Sequence, residues 1–460
     1  MKKIFLLLLI ALNSPKSYTL PLKTNPQEIV FDSEAYDFIT DLCRPILKFL
    51  PAKTLLQFYF INSPEINAFA TTQHVFINTG LFQSLDLNSL VGILVHELGH
   101  IAGKHVLQFQ EALKKAQTKG LVSTILGLLV MTAGALGKGS SSTMGAGGGL
   151  QYLGEVFALH DIHHFSRSQE GAADQFALKV LRSLNWPLSG FMNVMEDFAK
   201  KESLYKNEHM PYLRTHPFSQ DRLESARRAL EFANPKTPTC LPAPILDKFY
   251  RVKIKFIAFT SPVESATDSV QQACVPPEYK SYGKAIAMYR QGSLQEALSE
   301  LESFEKNCSQ NAFTLELRSQ ILFDLNQAEK AWQAIGLACK MRPRDALIQA
   351  QKAIVSLQTD KQTHIQESIR CLQRLTHAPS PQTGSLWYWL AVAFGKTNQP
   401  GKMQVALAEY ALYKGELPRV QQHVRLALKL LKPQDPYYHK AKDLEHLLKS
   451  NPPSSFQGEH

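Results

Sequence analysis

His96-Glu97-Leu98-Gly99-His100 is the stretch on which the reading of this chain turns. On an α-helix, residues four apart stand one above the other on the same face, so His96 and His100 can offer two ring nitrogens to one zinc ion. Glu97 projects about 100° round the helix from His96, where it reaches a water beside the metal and not the metal itself. The competing reading is a helix that carries two histidines by accident, and the surroundings argue against it. Leu90, Ile93, Leu94 and Ile101 recur at helical spacing, with Asp86 or Asn88 as N-cap. A helix this apolar is buried, and a buried imidazole needs a partner. Gly99 inside it costs about 1 kcal/mol relative to Ala, which points to a neighbour packed closely there.

A catalytic zinc takes three protein ligands, so a third must come from elsewhere. Ser166-Arg167-Ser168-Gln169-Glu170-Gly171-Ala172-Ala173-Asp174 offers Glu170 and Asp174, four apart on a second helix. His160, His163 and His164 precede it, and His163 would share the face of Glu170 if one helix ran through both. His105 lies nine residues from His96, about half a turn out of phase, and should not bind the same ion. His216, in Arg214-Thr215-His216-Pro217, reads as a loop histidine.

The rest of the chain sets this helix in context. Before it, Phe58-Tyr59-Phe60-Ile61, Asn67-Ala68-Phe69-Ala70 and His74-Val75-Phe76-Ile77 predict a small antiparallel sheet. The pattern from Ala35 to Leu50 predicts a helix stopped by Pro51. Met1-Lys2-Lys3 and the apolar run Ile4 to Leu12 read as a signal peptide, with residues 1–19 removed and Ser17-Tyr18-Thr19 as the expected end. Residues 121–137 are apolar and uncharged and precede a Gly- and Ser-rich stretch. A hydrophobic hairpin over the cleft or against a membrane, a transmembrane helix and a core helix all fit. Lysine and arginine exceed acids by 50 to 40 without a basic block, which argues against a nucleic-acid surface. The six cysteines have no CxxC spacing; pairs Cys240–Cys274 and Cys308–Cys339 or free thiols are equally open. Pro235 to Pro244 and Pro276-Pro277 bracket an expected connection, 236–278, after a peptidase domain at 20–235. Beyond it, Ala297 and Ala331 are 34 residues apart, the tetratricopeptide period, so 279–450 reads as an α-solenoid ahead of a flexible tail at 451–460. The fold expected is mainly α: a zincin-type domain followed by repeats.

With Lys104-His105, Asn67-Ala68-Phe69-Ala70, Asn78-Thr79-Gly80-Leu81 and Arg167 to Asp174 beside the paired histidines, the chain resembles the HtpX-type zinc metallopeptidases related to prenyl-protein proteases. The resemblance implies one zinc, with Glu170 as third ligand and Asp174 orienting a ligand. It makes His216 a candidate fourth ligand that gates the site, where the alternative is a role in stabilising the transition state. Exported members fused to repeats imply a periplasmic endopeptidase, also chaperone-like, for unfolded or misassembled exported proteins. They also imply a link through the repeats to the outer-membrane β-barrel assembly machinery. Thr71-Thr72-Gln73 replaces the usual Gly-rich turn, and Lys104 replaces an arginine. Glu97 is the expected catalytic base, and Ala68, Phe69 and Ala70 the expected edge strand for an extended substrate. A non-proteolytic chaperone or adaptor with a structural zinc and a membrane-embedded protease are the rival readings. Because every candidate ligand precedes residue 217, a fragment ending near Ala233 is expected to keep the metal site.

Overall fold

The aromatic and β-branched runs after Leu56 do pair, but as a mixed sheet and not the antiparallel one expected. The computed structural model describes residues 29–52, 54–109, 165–205, 212, 215–231, 240–359, 361–377 and 383–450. Strands β1 (Ile29–Val30), β2 (Gln57–Ile61), β3 (Ala68–Ala70) and β4 (His74–Asn78) lie in the order β1-β2-β4-β3. Thr71 N–H donates to the His74 carbonyl and closes a tight antiparallel β3–β4 turn. Because 62–67 has already carried the chain outward to the β3 position, β4 returns between β3 and β2 and must run parallel to β2. That leaves β3 on an edge of the sheet. Tyr59, Phe76 and Phe69 stack across the three strands at centroid separations of 5.1 and 4.6 Å.

Helix α1 (Ser33–Cys43) is capped by Asp32, whose carboxylate accepts from Ala35 N–H. It stops earlier than the sequence pattern suggested, because Pro45 has no N–H to donate to the Asp41 carbonyl and so cannot continue the helical ladder; a 3-10 turn, Leu47–Phe49, follows. After α2 (Thr79–Ser84) comes α3 (Leu87–Ala102), capped by Asp86. Helices α4 (Arg167–Ser183) and α5 (Ser189–Tyr205) pack on α3, and α6 (Gln220–Glu231) packs on both. Leu90, Leu94 and Leu98 of α3 share one core with Leu178, Leu181 and Phe191.

Residues expected to connect two domains are part of the first. Helix α7 (Ala243–Thr260) buries Phe249, Val252 and Phe256 in the same core as α3. It also supplies the charges that α1 needs. Arg251 Nε donates to Glu34 at 2.8 Å and Lys255 Nζ to Asp32 at 2.6 Å. Tyr282 on α9 (Pro277–Gln291) donates its hydroxyl to Glu34, also at 2.8 Å. With α8 (Ala266–Gln272) and α10 (Leu294–Asn307), these helices belong to a first compact unit whose described residues end at Gln310, not near 235.

The second unit holds α11 (Ala312–Asp324), α12 (Ala328–Met341), α13 (Ala346–Ser356), α14 (Gln362–His377), α15 (Thr383–Lys396), α16 (Pro400–Tyr413), α17 (Leu417–Leu430) and α18 (Pro436–Ser450). Each helix packs on the next, and α11 and α13, like α15 and α17, begin 34 residues apart. Ala331, Ala338, Ala408 and Ala427 are fully buried, the small residues that let paired helices approach. Asn326, Asn398 and Gly415 take the left-handed conformation at turns between helices. The unit is an α-solenoid of tetratricopeptide-like pairs.

The expected leader, the apolar 121–137 stretch, His160, His163, His164 and the expected tail lie outside the described residues. Among the described residues, no helix is long and apolar enough to cross a membrane. All six cysteines are free thiols, so neither pairing is formed. Cys43 is a core residue, and Cys339 and Cys371 direct their sulfurs at the carbonyls of Ile348 and Gln349.

Candidate metal centre

Gly99 is what lets the second acidic helix reach the first. A side chain there would put Cβ 2.9 Å from the Ala173 Cα and from its carbonyl oxygen, so α3 and α4 touch backbone to backbone. At that crossing His96, His100, Glu170 and His216 converge, each offering a ligand atom within 4.8 Å of the others. All four are buried. His96 Nε2 lies 3.1 Å from His100 Nε2 and 3.4 Å from Glu170 Oε2, and His100 Nε2 lies 3.3 Å from Glu170 Oε1. Donors at about 2.0–2.2 Å from a tetrahedral zinc are separated by roughly 3.3–3.6 Å. The cluster therefore fits a single zinc ion.

Charge makes the same case. Glu97, Glu170 and Asp174 are all buried, and the guanidinium of Arg222 pairs with the last two. Such an excess of buried carboxylate is costly unless a cation joins it. Burial disfavours a charged His96, yet Asp174 and Glu170 outweigh it and push its pKa up to about 10. Burial would raise the Glu170 carboxyl, but His216, His100 and His96 together hold it well below the usual carboxylate range.

The neighbours hold this set in place. Asp174 Oδ1 stands 2.8 Å from His96 Nδ1, the nitrogen facing away from the cluster. Arg222 from α6 donates to Asp174 through Nε at 2.6 Å and a terminal nitrogen at 2.9 Å. Its other terminal nitrogen lies 2.7 Å from Glu170 Oε2 and donates to the Pro217 carbonyl at 2.9 Å. His105 stays outside the quartet and meets the Nδ1 of His100; α3 ends before it, so helical phase does not set its place. The Phe165 ring stacks on His100, with centroids 3.7 Å apart.

Glu97 lies beside the quartet and is not one of its four members. Tyr212 donates its hydroxyl to Oε1 at 3.1 Å, while Oε2 is buried without a hydrogen-bond partner. Burial raises the Glu97 pKa. His216 is held by its own N–H donating to the Tyr212 carbonyl and by Tyr212 stacking on its ring at 4.3 Å. Its Nδ1 is 3.0 Å from Glu170 Oε1 and its Nε2 is 3.4 Å from Glu97 Oε1. Edge strand β3 packs against α3.

Tyr212, Phe165 and Arg222 were not legible as site residues. Only Arg222 left a signal, since two buried acids four apart on a helix call for a cation and a nearby arginine can supply it.

Comparison with known proteins agrees with this geometry. Residues 42–230 match the model of Peptidase family M48. The chain is 24% identical over 374 residues to a β-barrel assembly-enhancing protease of Yersinia pestis, covering 79% of this chain and 73% of that protein. It is 26% identical over 377 residues to the protein of the same name from Escherichia coli K12, covering 78% and 72%. It is also 27% identical over 165 residues to the metalloprotease LoiP of Escherichia coli K12, covering 35% and 58%.

Proposed function

We propose that this chain, a metalloprotease with an M48 peptidase domain at 42–230, is an exported zinc endopeptidase that removes misassembled outer-membrane and other exported proteins in the periplasm. The observation that carries it is the buried quartet of His96, His100, Glu170 and His216 with Glu97 beside it. In this reading His96, His100 and Glu170 hold the metal and Asp174 orients His96. A zinc ion there would polarise the scissile carbonyl and acidify a water. Glu97 would take that water's proton on Oε2, the oxygen Tyr212 leaves free, and hand it to the leaving amine. Its burial-raised pKa suits that task. An extended substrate would pair with Ala68–Ala70, so unfolded segments would be preferred over folded ones. The repeats would recruit clients or the β-barrel assembly machinery; relatives named β-barrel assembly-enhancing proteases and the leader-like N-terminus support the address.

His216 would be a gate. Buried among the proposed ligands and stacked by Tyr212, it would take the position on the metal that a peptide carbonyl needs. The test is proteolysis of one unfolded protein by wild type and by His216→Ala, with zinc measured alongside. Faster cleavage at equal zinc supports the gate. Slower cleavage at equal zinc makes His216 a transition-state stabiliser, and an inactive wild type with inactive His216→Ala, both zinc-loaded, favours the non-proteolytic chaperone.

A further inference from the structure

His105 is buried, yet it belongs to neither the proposed ligands nor the base. The chain brings it back by a specific device. Helix α3 ends at Gly103, and Lys104 takes the left-handed conformation at φ 55°, which turns the next residue towards the helix just left. Gly103 makes room for the ring, since a Cβ there would stand 2.2 Å from His105 Nε2. The outcome is a contact of 3.0 Å between His105 Nδ1 and His100 Nδ1, with the rings edge to face at 78°.

We infer that His105 is a positioning residue that fixes the tautomer and ring angle of His100 for the metal. The inference rests on the reading of His100 as a ligand through Nε2. An imidazole that gives its Nε2 lone pair to a metal carries its proton on Nδ1. That proton must be donated, and the atom facing it is His105 Nδ1, which therefore acts as acceptor with its own proton on Nε2. Asp174 Oδ1 stands 2.8 Å from His96 Nδ1, so each histidine of the pair has its own neighbour there, one anionic and one neutral. A neutral acceptor orients the ring without adding a further negative charge beside Glu170 and Asp174.

The test uses the full-length protein with ¹⁵N-labelled histidine. In the zinc-loaded wild type, NMR should show a protonated, slowly exchanging Nδ1–H on His100 with a coupling across the hydrogen bond to His105. Chelator competition should show zinc about 10–100-fold weaker in His105→Phe, which leaves that N–H unpaired, and largely restored in His105→Gln, whose amide oxygen can accept. A His100 without a proton on Nδ1, or no coupling to His105, overturns the inference from the wild type alone, whatever the variants do. Unchanged zinc affinity in a folded His105→Phe also overturns it while leaving the ligand reading intact. A wild type that binds no zinc overturns both.

Discussion

Cutting the chain after Ala233 should destroy the metal centre, although every proposed ligand is retained. The fragment loses Phe249, Val252 and Phe256, all at most 2% exposed and all in the core that surrounds α3. At about 1.5–3 kcal/mol for each buried side chain, their loss costs roughly 5–9 kcal/mol. Glu34, 1% exposed, also loses the guanidinium of Arg251, the ammonium of Lys255 and the hydroxyl of Tyr282. A buried charge stripped of its partners costs about 3–5 kcal/mol more. Typical domains are stable by about 5–15 kcal/mol, so the fragment should be unfolded or molten. A fragment ending at Gln310, the end of the first compact unit, keeps all these contacts. Circular-dichroism melts and zinc content of the two fragments decide the matter. A fragment ending at Ala233 that melts cooperatively within a few degrees of the longer one, with one zinc bound, would refute the reasoning and restore 236–278 to the role of a connection.

Replacing Glu97 by Gln should leave zinc in place and lower cleavage of an unfolded protein by at least about 10²–10⁴-fold, read by single-turnover proteolysis and metal analysis. Arg222→Met strands Asp174 and part of Glu170 in the interior and should cost about 3–5 kcal/mol in urea unfolding. Arg222→Lys should recover only part of this, because an ammonium lacks the fork that grips Asp174 twice; equal stability of Met and wild type would show the pair to be unimportant. Asp174→Asn should weaken zinc about 10–100-fold in chelator competition while the helix content is unchanged. Stripping zinc should lower the melting temperature, and adding zinc in excess should raise it with concentration, as mass action on the folded form requires.

What the sequence reveals here is what repeats along one element. The spacing of His96 and His100, the run of Leu90, Ile93 and Leu94, and the 34-residue recurrence of Ala297 and Ala331 are all periodicities of single helices or helix pairs. The strands were visible for the same reason, yet their order was not. Whether β4 lies parallel or antiparallel to β2 depends on where the 62–67 crossover leaves β3, and no residue type in that crossover encodes it. The 236–278 stretch misled because prolines punctuate a chain both at linkers and at the first turn of a packed helix. Pro244 and Pro277 lie in the first turns of packed helices here. The opposite case is Gly99, whose cost in a helix demanded a close neighbour; Ala173 supplies it, and the same contact delivers Glu170 to the histidines.

Arg222 shows where such reasoning could go further. Its position, five residues beyond Pro217 on a helix of ordinary polar sequence, has no motif. Charge balance asks for it all the same. Glu170 and Asp174 face the same interior as Glu97, and a dication alone leaves the group anionic once Glu97 is ionised. One guanidinium that spans Asp174 and Glu170 removes that excess and, through the Pro217 carbonyl, also fixes the segment carrying His216. The proposed ligand carboxylate, the residue proposed to orient His96 and the seat of His216 are thus tied to one side chain. A change at Arg222 should therefore move zinc affinity and the behaviour of His216 together, which separates it from Asp174→Asn, where affinity should fall and the effect of His216→Ala on cleavage should persist.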